Sequence, residues 1–451
     1  MTKVVIIGGG PAGNSCATYA ARMGADVTMI ERDIVGGAAH LLDCIPSKAM
    51  IATGGAMAFL ERSEGMGLEV VDPEVDPDGL RVRLKSIEDR LSTSMTKMLE
   101  SQGIRIVRGT GRLDGPNAVI ATTAEGEERF DADYVVLSSG SRPRVPDWAE
   151  IDGDRVLTTR HAYPPPVFPG HLIVIGSGVT GVEFVHMFKS FGSDVTLIVS
   201  RQQVLPQKDP EVAAVLEEDF LRRGVNLLKG ARATGIEVDG EQVHVSCHDG
   251  RVATGTHALL AIGSIPNSDD LALDTVGIET DYGYITVDHN LVSPVKNIYV
   301  AGDLSGKLPL SSVATMQGRK IAEHIMGSHR GPHRHLDYDK AASAIFTEPE
   351  IADVGLAEAD AFAEGRKIRV TKVPFLVSAK ALINDYSQGF VKIVSDPATG
   401  VVLGGSIVGH SAAELISVLA LAVNAGLTVT DIAESLLVHP SLAEALTEAA
   451  E

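Results

Sequence analysis

Val4-Val5-Ile6-Ile7-Gly8-Gly9-Gly10-Pro11-Ala12-Gly13 is an apolar run that breaks into spaced glycines and continues as a small-residue helical pattern through Met23. A second apolar run, Val27 to Ile30, closes on Glu31. In such a strand-turn-helix-strand unit the glycines have separate tasks. The first (Gly8) permits the tight turn, the second (Gly10) lets backbone N–H groups approach a pyrophosphate, and the third (Gly13) lets helix and strand pack closely. The same unit recurs later, with Leu172 to Ile175, then Gly176, Gly178 and Gly181, a helix to about Phe191, and a strand Val195 to Val199. A lone glycine triplet is weak, because glycine-rich turns occur in many loops. Two copies, each preceded by a strand and followed by a helix, predict two dinucleotide sites on two Rossmann-like units.

The residue that closes the second strand distinguishes the copies. A carboxylate there hydrogen-bonds a free ribose hydroxyl and repels a 2′-phosphate. Glu31 supplies one in the first copy, whereas the second copy reads Val199-Ser200-Arg201. A hydroxyl and a guanidinium can receive a 2′-phosphate, so NADPH is favoured over NADH at the second site. The alternative for Arg201 is a solvated surface charge.

A chain of 451 residues exceeds one ordinary core, so about three domains are expected. The intervening sequence carries helical stretches at about Ser47 to Glu61 and Ser86 to Gln102, then a strand Tyr134 to Leu137 before Ser139-Gly140. Pro143, Pro146 and Pro164-Pro165-Pro166 mark a boundary. Strands around Val243 to Val245 and Ala258 to Ile262 lead to Gly263, and strand Ile298 to Val300 into Gly302-Asp303 returns the chain to the first unit. From about Arg334 the composition changes. Strands Phe390 to Val394 and Val401 to Val408 then flank a helix Ala412 to Asn424, a third, α+β domain. The expected division is 1–150 and 271–335 for the first domain, 151–270 for the second and 336–451 for the third. The fold class is therefore α/β, with two Rossmann-like domains and a C-terminal α+β domain.

A net charge of −20 argues against a nucleic-acid partner, whose phosphates need a positive surface. The N-terminal apolar run ends at glycine after four residues, too soon for a signal peptide, and no run reaches the roughly 18 apolar residues of a membrane span. Three cysteines, Cys16, Cys44 and Cys247, cannot build a disulfide framework and fit a reducing compartment. A cytoplasmic protein with no metal site is expected.

With these units placed, Gly36-Gly37-Ala38-Ala39-His40-Leu41-Leu42-Asp43-Cys44-Ile45-Pro46-Ser47-Lys48 resembles the active-site motif of the pyridine nucleotide-disulfide oxidoreductases, the dihydrolipoamide dehydrogenase and glutathione reductase family. Ser139-Gly140-Ser141-Arg142-Pro143, Gly302-Asp303, Phe346-Thr347-Glu348-Pro349-Glu350 and His439-Pro440-Ser441-Leu442-Ala443-Glu444 extend the resemblance along the chain. It implies FAD on the first unit, with Glu31 on its adenosine ribose, Asp303 on its ribityl chain, and Gly111, Ser139 and Gly140 lining the site. It also implies that Lys48 pairs with Glu183 beside flavin N5. The C-terminal domain would form a homodimer and carry His439 and Glu444, an acid/base pair, to the other subunit's site.

Departures from the motif carry the functional expectation. The family's redox disulfide joins two cysteines, and here the first is Ala39 while only Cys44 remains. A lone thiolate against the flavin and an inert buried residue are both open for Cys44, but neither stores an electron pair as a disulfide. Cys16 and Cys247 are expected too far away to replace the missing partner. For His439, acid/base work and a plain interface role are both open. In Gly263-Ser264-Ile265-Pro266-Asn267, Ser264 stands where the family usually has arginine, and looser positioning or specificity for the nicotinamide nucleotide is expected. The pattern is most similar to actinobacterial flavoprotein NAD(P)H:quinone reductases that lack one redox cysteine. The implied activity is hydride transfer from NAD(P)H to FAD, then electrons directly to a quinone. Two alternatives stay open: a soluble transhydrogenase, and an NAD(P)H-binding redox-sensing flavoprotein with little turnover.

Overall fold

The computed structural model describes residues 1–69, 73–328 and 335–451. Arg334, where the composition changes, lies outside the described residues. The helices that position the site are, in chain order, α1 (Pro11–Arg22), α2 (Ile45–Arg62), α3 (Pro77–Ser101), α4 (Val179–Ser190), α5 (Pro210–Arg222) and α6 (Ser311–Ile325). The chain divides into two compact units.

The first unit gathers Met1–Pro46, Arg81–Arg144 and Ser264–Tyr338. Its centre is a parallel five-stranded sheet in the order Ile298–Val300, Tyr134–Leu137, Lys3–Ile7, Asp26–Glu31, Arg105–Arg108. A parallel sheet covered on both faces calls for near-continuous apolar strands, and Val4 to Ile7 are all buried. The helices α1 and α6 pack so closely that a Cβ at Gly318 would stand 2.0 Å from the carbonyl oxygen of Ala12.

The second unit gathers Ser47–Leu80, Val145–Gly263 and Asp339–Glu451. It contains a parallel sheet ordered Asn226–Lys229, Asp194–Val199, His171–Ile175, His257–Leu260, Val156–Thr158. Each parallel sheet places its glycine-ending strand at the centre with the next strand of its copy alongside, so the sequence repeat is a repeat of topology. An antiparallel sheet of Ser343–Ile345, Glu350–Gly355, Val402–Gly409, Phe390–Ser395 and Arg369–Pro374 follows, packed under the helix Ala412–Ala425.

Element limits differ from the sequence reading in two informative places. Helix α3 begins at Pro77 rather than Ser86, because Asp76 Oδ1 accepts from the Asp78 N–H at 3.1 Å and so caps a turn that reads as a polar loop. Ahead of α2, His40–Cys44 form a π-helical turn closed by the Ile45 N–H on the His40 carbonyl, a geometry with no periodic signature over so few residues.

Candidate active site

The phosphate turns are built alike. Gly8 has φ +107° and Gly176 φ +112°, a backbone conformation that favours glycine. A Cβ at Gly13 would lie 2.0 Å from the Gly8 carbonyl oxygen, and one at Gly181 would lie 1.8 Å from that of Gly176. Toward the ligand side the turns are open: the nearest atom to a Cβ at Gly10 is 3.8 Å away, and none stands within 4 Å at Gly178. Gly10 and Gly178 are the N-caps of α1 and α4, and no side chain caps either helix. Unsatisfied N–H groups at the positive end of each helix dipole, beside free space, fit a pyrophosphate.

Glu31 is buried at the end of its strand, where Oε2 accepts from the Gly9 N–H at 2.6 Å and Oε1 from the Asp33 N–H at 2.7 Å. Burial raises its pKa although both N–H groups oppose the rise. The carboxylate is thus fixed against the glycine turn. Asp303 is the second residue of the turn Gly302–Ser305 and accepts from the Ser141 hydroxyl at 2.5 Å. Gly302 N–H donates to Gln317 Oε1 at 2.7 Å, and Gln317 is fully buried on α6. Asn267 ties Ser139 and Gly140 in place: its N–H donates to Gly140, its Nδ2 to the Ser139 carbonyl, and its carbonyl accepts from the Ser139 hydroxyl at 2.7 Å. Gly111 lies deeper, in the strand Thr110–Leu113, where a Cβ would press within 3.1 Å of Ile7. Ser264–Pro266 pair antiparallel with Ser141–Pro143, so Ser264 is the exposed first residue of a short two-stranded ribbon.

In the second unit, Lys48 on α2 and Glu183 on α4 meet with Nζ 2.8 Å from Oε2. The other carboxylate oxygen, Oε1, accepts from the Phe346 N–H at 3.0 Å, and the ammonium stands 5.0 Å from the Phe346 ring centroid. Glu183 is 4% exposed, so the pair is a part-exposed cation held by a buried carboxylate that is itself anchored to backbone. Ser200 and Arg201 follow the strand Asp194–Val199 and are exposed, and among the described residues no ion pair occupies the Arg201 guanidinium. Gly263, at φ +94°, has open space where a Cβ would stand.

His439 Nδ1 lies 2.7 Å from Glu444 Oε1, and Glu444 Oε2 accepts from the Ser441 N–H at 2.8 Å. The Ser441 N–H and then His439 hold the Glu444 carboxyl below its ordinary value. The His439 side chain is 75% exposed and follows Leu436, Leu437 and Val438, all exposed.

None of the three cysteines is in a disulfide. Cys16 is buried on α1, with its thiol pushed up to about 12 by burial, and Cys247 is buried in the strand Gln242–Cys247. Cys44 closes the π turn half-exposed. Sequence reasoning missed Gln317, Asn267 and Phe346 as site-forming residues. A glutamine on the apolar face of α6 was the one legible signal, since a buried amide needs a partner.

Two duplicated dinucleotide turns, a lysine–glutamate pair and a C-terminal His–Glu pair define the class: the chain belongs to the pyridine nucleotide-disulphide oxidoreductase family. The model of that family matches residues 2–318, and that of its dimerisation domain matches residues 341–450. The protein is an FAD-dependent NAD(P)H oxidoreductase. It is 40% identical to an NAD(P)H dehydrogenase (quinone) of Mycobacterium tuberculosis, over 100% of this chain and 93% of the relative. A dihydrolipoyl dehydrogenase of Haloferax volcanii is 35% identical, over 100% and 96% of the two chains. The crystal structure of LpdA from Mycobacterium tuberculosis superposes with a TM-score of 0.95 at 40% identity, covering 100% of this chain and 99% of that one. No helix among the described residues is long and apolar enough to cross a membrane.

Proposed function

We propose that the protein is a homodimeric NAD(P)H:quinone oxidoreductase that passes electrons from FAD directly to its acceptor. Ala39 in the place of the motif's first cysteine carries the reading, because a thiol relay needs two sulfurs. NADPH delivers hydride on the Rossmann unit of Gly176, Gly178 and Gly181. FAD supplies the redox chemistry on the unit of Gly8, Gly10, Gly13, Glu31 and Asp303. Lys48, oriented by Glu183, would supply the positive charge that favours a reduced, anionic flavin. The exposed run Leu436 to Val438 supports docking of a second subunit, with His439 and Glu444 facing that subunit's acceptor. The relative named as a quinone-reducing dehydrogenase supports the acceptor class.

The test is stopped-flow mixing of NADPH-reduced enzyme, anaerobically, with menadione, lipoamide or an NAD analogue. Fast reoxidation by menadione alone is expected; fast reoxidation by lipoamide removes the proposal, and by the NAD analogue makes the protein a transhydrogenase. Dithionite titration is expected to show uptake of about two electrons per flavin, rising to about four in Ala39→Cys if a disulfide forms across the π turn. An uptake of four in the natural protein would reveal a second redox centre.

Arg201 tests nucleotide choice. Arg201→Glu is expected to raise KM for NADPH by about tenfold or more while changing that for NADH less than about twofold. Equal effects on both nucleotides would remove Arg201 from the 2′-phosphate site.

A further inference from the structure

A two-electron reduction of a quinone needs a proton donor as well as a hydride donor. The segment Gly36–Cys44 starts against the FAD turn: the Gly36 N–H donates to the Gly9 carbonyl at 2.8 Å, and a Cβ at Gly37 would stand 2.6 Å from Gly10 Cα. It then runs to the first residue of α6, where His40 Nδ1 lies 3.3 Å from Ser311 Oγ. That end of α6 begins six residues after Ser305, the last residue of the turn that carries Asp303. His40 and Cys44 open and close one π turn, so they project from the same side of it. His40 is half-exposed, sheltered yet open to a small molecule.

We infer that His40, oriented by Ser311, is the acid that protonates the quinone during its reduction, a role that rests on the quinone-reductase reading above. The acceptor takes a hydride equivalent from the reduced flavin and one proton from the His40 imidazolium. The products are hydroquinone, oxidised flavin and neutral imidazole, which water reprotonates. The proton leaves from Nε2, and in the neutral imidazole that remains Nδ1 keeps its proton and donates to Ser311 Oγ. Burial holds the His40 pKa below the ordinary value, so the cationic form yields its proton readily to an adjacent anion.

The experiment compares acceptors that do and do not need a proton. Holoenzyme carrying His40→Ala or His40→Leu is reduced with NADPH and mixed with menadione or with ferricyanide, which takes single electrons without protons. Reoxidation by menadione is expected to slow about 10²-fold, with flavin reduction and ferricyanide reoxidation within about twofold of the natural enzyme. Added imidazole is expected to restore much of the menadione rate to His40→Ala but not to His40→Leu. His439→Gln is the control for the other imidazole in the site. An unchanged menadione rate, equal slowing with both acceptors, or a loss confined to His439→Gln would overturn the role of His40. A natural enzyme inert to menadione would instead remove the quinone reading, and this inference with it.

Discussion

Lys48→Met is expected to slow anaerobic reduction of the bound flavin by NADPH about 10²- to 10³-fold, the usual cost of deleting one preorganised charge at a reacting centre. Stability should fall as well. The substitution leaves Glu183, 4% exposed, with a single donor, the Phe346 N–H, for a full negative charge. Breaking a buried pair on one side costs about 3–5 kcal/mol, and the 28% exposure of the Lys48 side chain reduces that to about 2–4 kcal/mol. The double variant Lys48→Met/Glu183→Gln separates the two effects. Glutamine keeps an acceptor for the Phe346 N–H and carries no charge, so thermal stability should recover while flavin reduction stays slow. Recovery of both would mean that Lys48 acts through packing and does not touch the redox centre. Full activity in Lys48→Met alone would take the pair out of the site.

Gly181→Ala is the second large effect, about 10²-fold in kcat/KM for NADPH with the FAD still bound. The added methyl would sit 1.8 Å from the Gly176 carbonyl oxygen, so the turn and the start of α4 must separate. A shift of roughly an ångström in a positioning element costs about that factor. The matching change in the other copy, Gly13→Ala, meets the Gly8 carbonyl at 2.0 Å and is expected to give protein depleted of FAD. Visible absorbance distinguishes the variants: Gly181→Ala should purify yellow and bleach with dithionite but slowly with NADPH, whereas Gly13→Ala should be nearly colourless. Loss of flavin from Gly181→Ala would show that the two turns do not serve separate nucleotides.

Both predictions draw on features that were unequally legible. The glycine turns are local objects, complete within a dozen residues, and the strand limits follow suit: Tyr134–Leu137 and Ile298–Val300 have the bounds that their apolar runs define. Lys48 and Glu183 lie far apart in the chain, and no pattern in either neighbourhood points to the other. Only the family motif joined them in the sequence reading. Phe346, which anchors the pair by its backbone, was quoted there as part of a motif without a task.

What the sequence determined by itself was whatever depends on near neighbours along the chain: two glycine turns between strand and helix, the carboxylate at Glu31 and its absence at Val199, and an alanine at position 39 where the motif has a cysteine. The tertiary structure decided which distant groups share a charge or a hydrogen bond: Lys48 with Glu183, Asp303 with Ser141, Gln317 with Gly302, and His40 with Ser311. The reason is physical. Backbone geometry and periodic burial are properties of short segments, whereas a desolvated polar group finds its partner only when separate segments have packed and excluded the water that would otherwise serve either one.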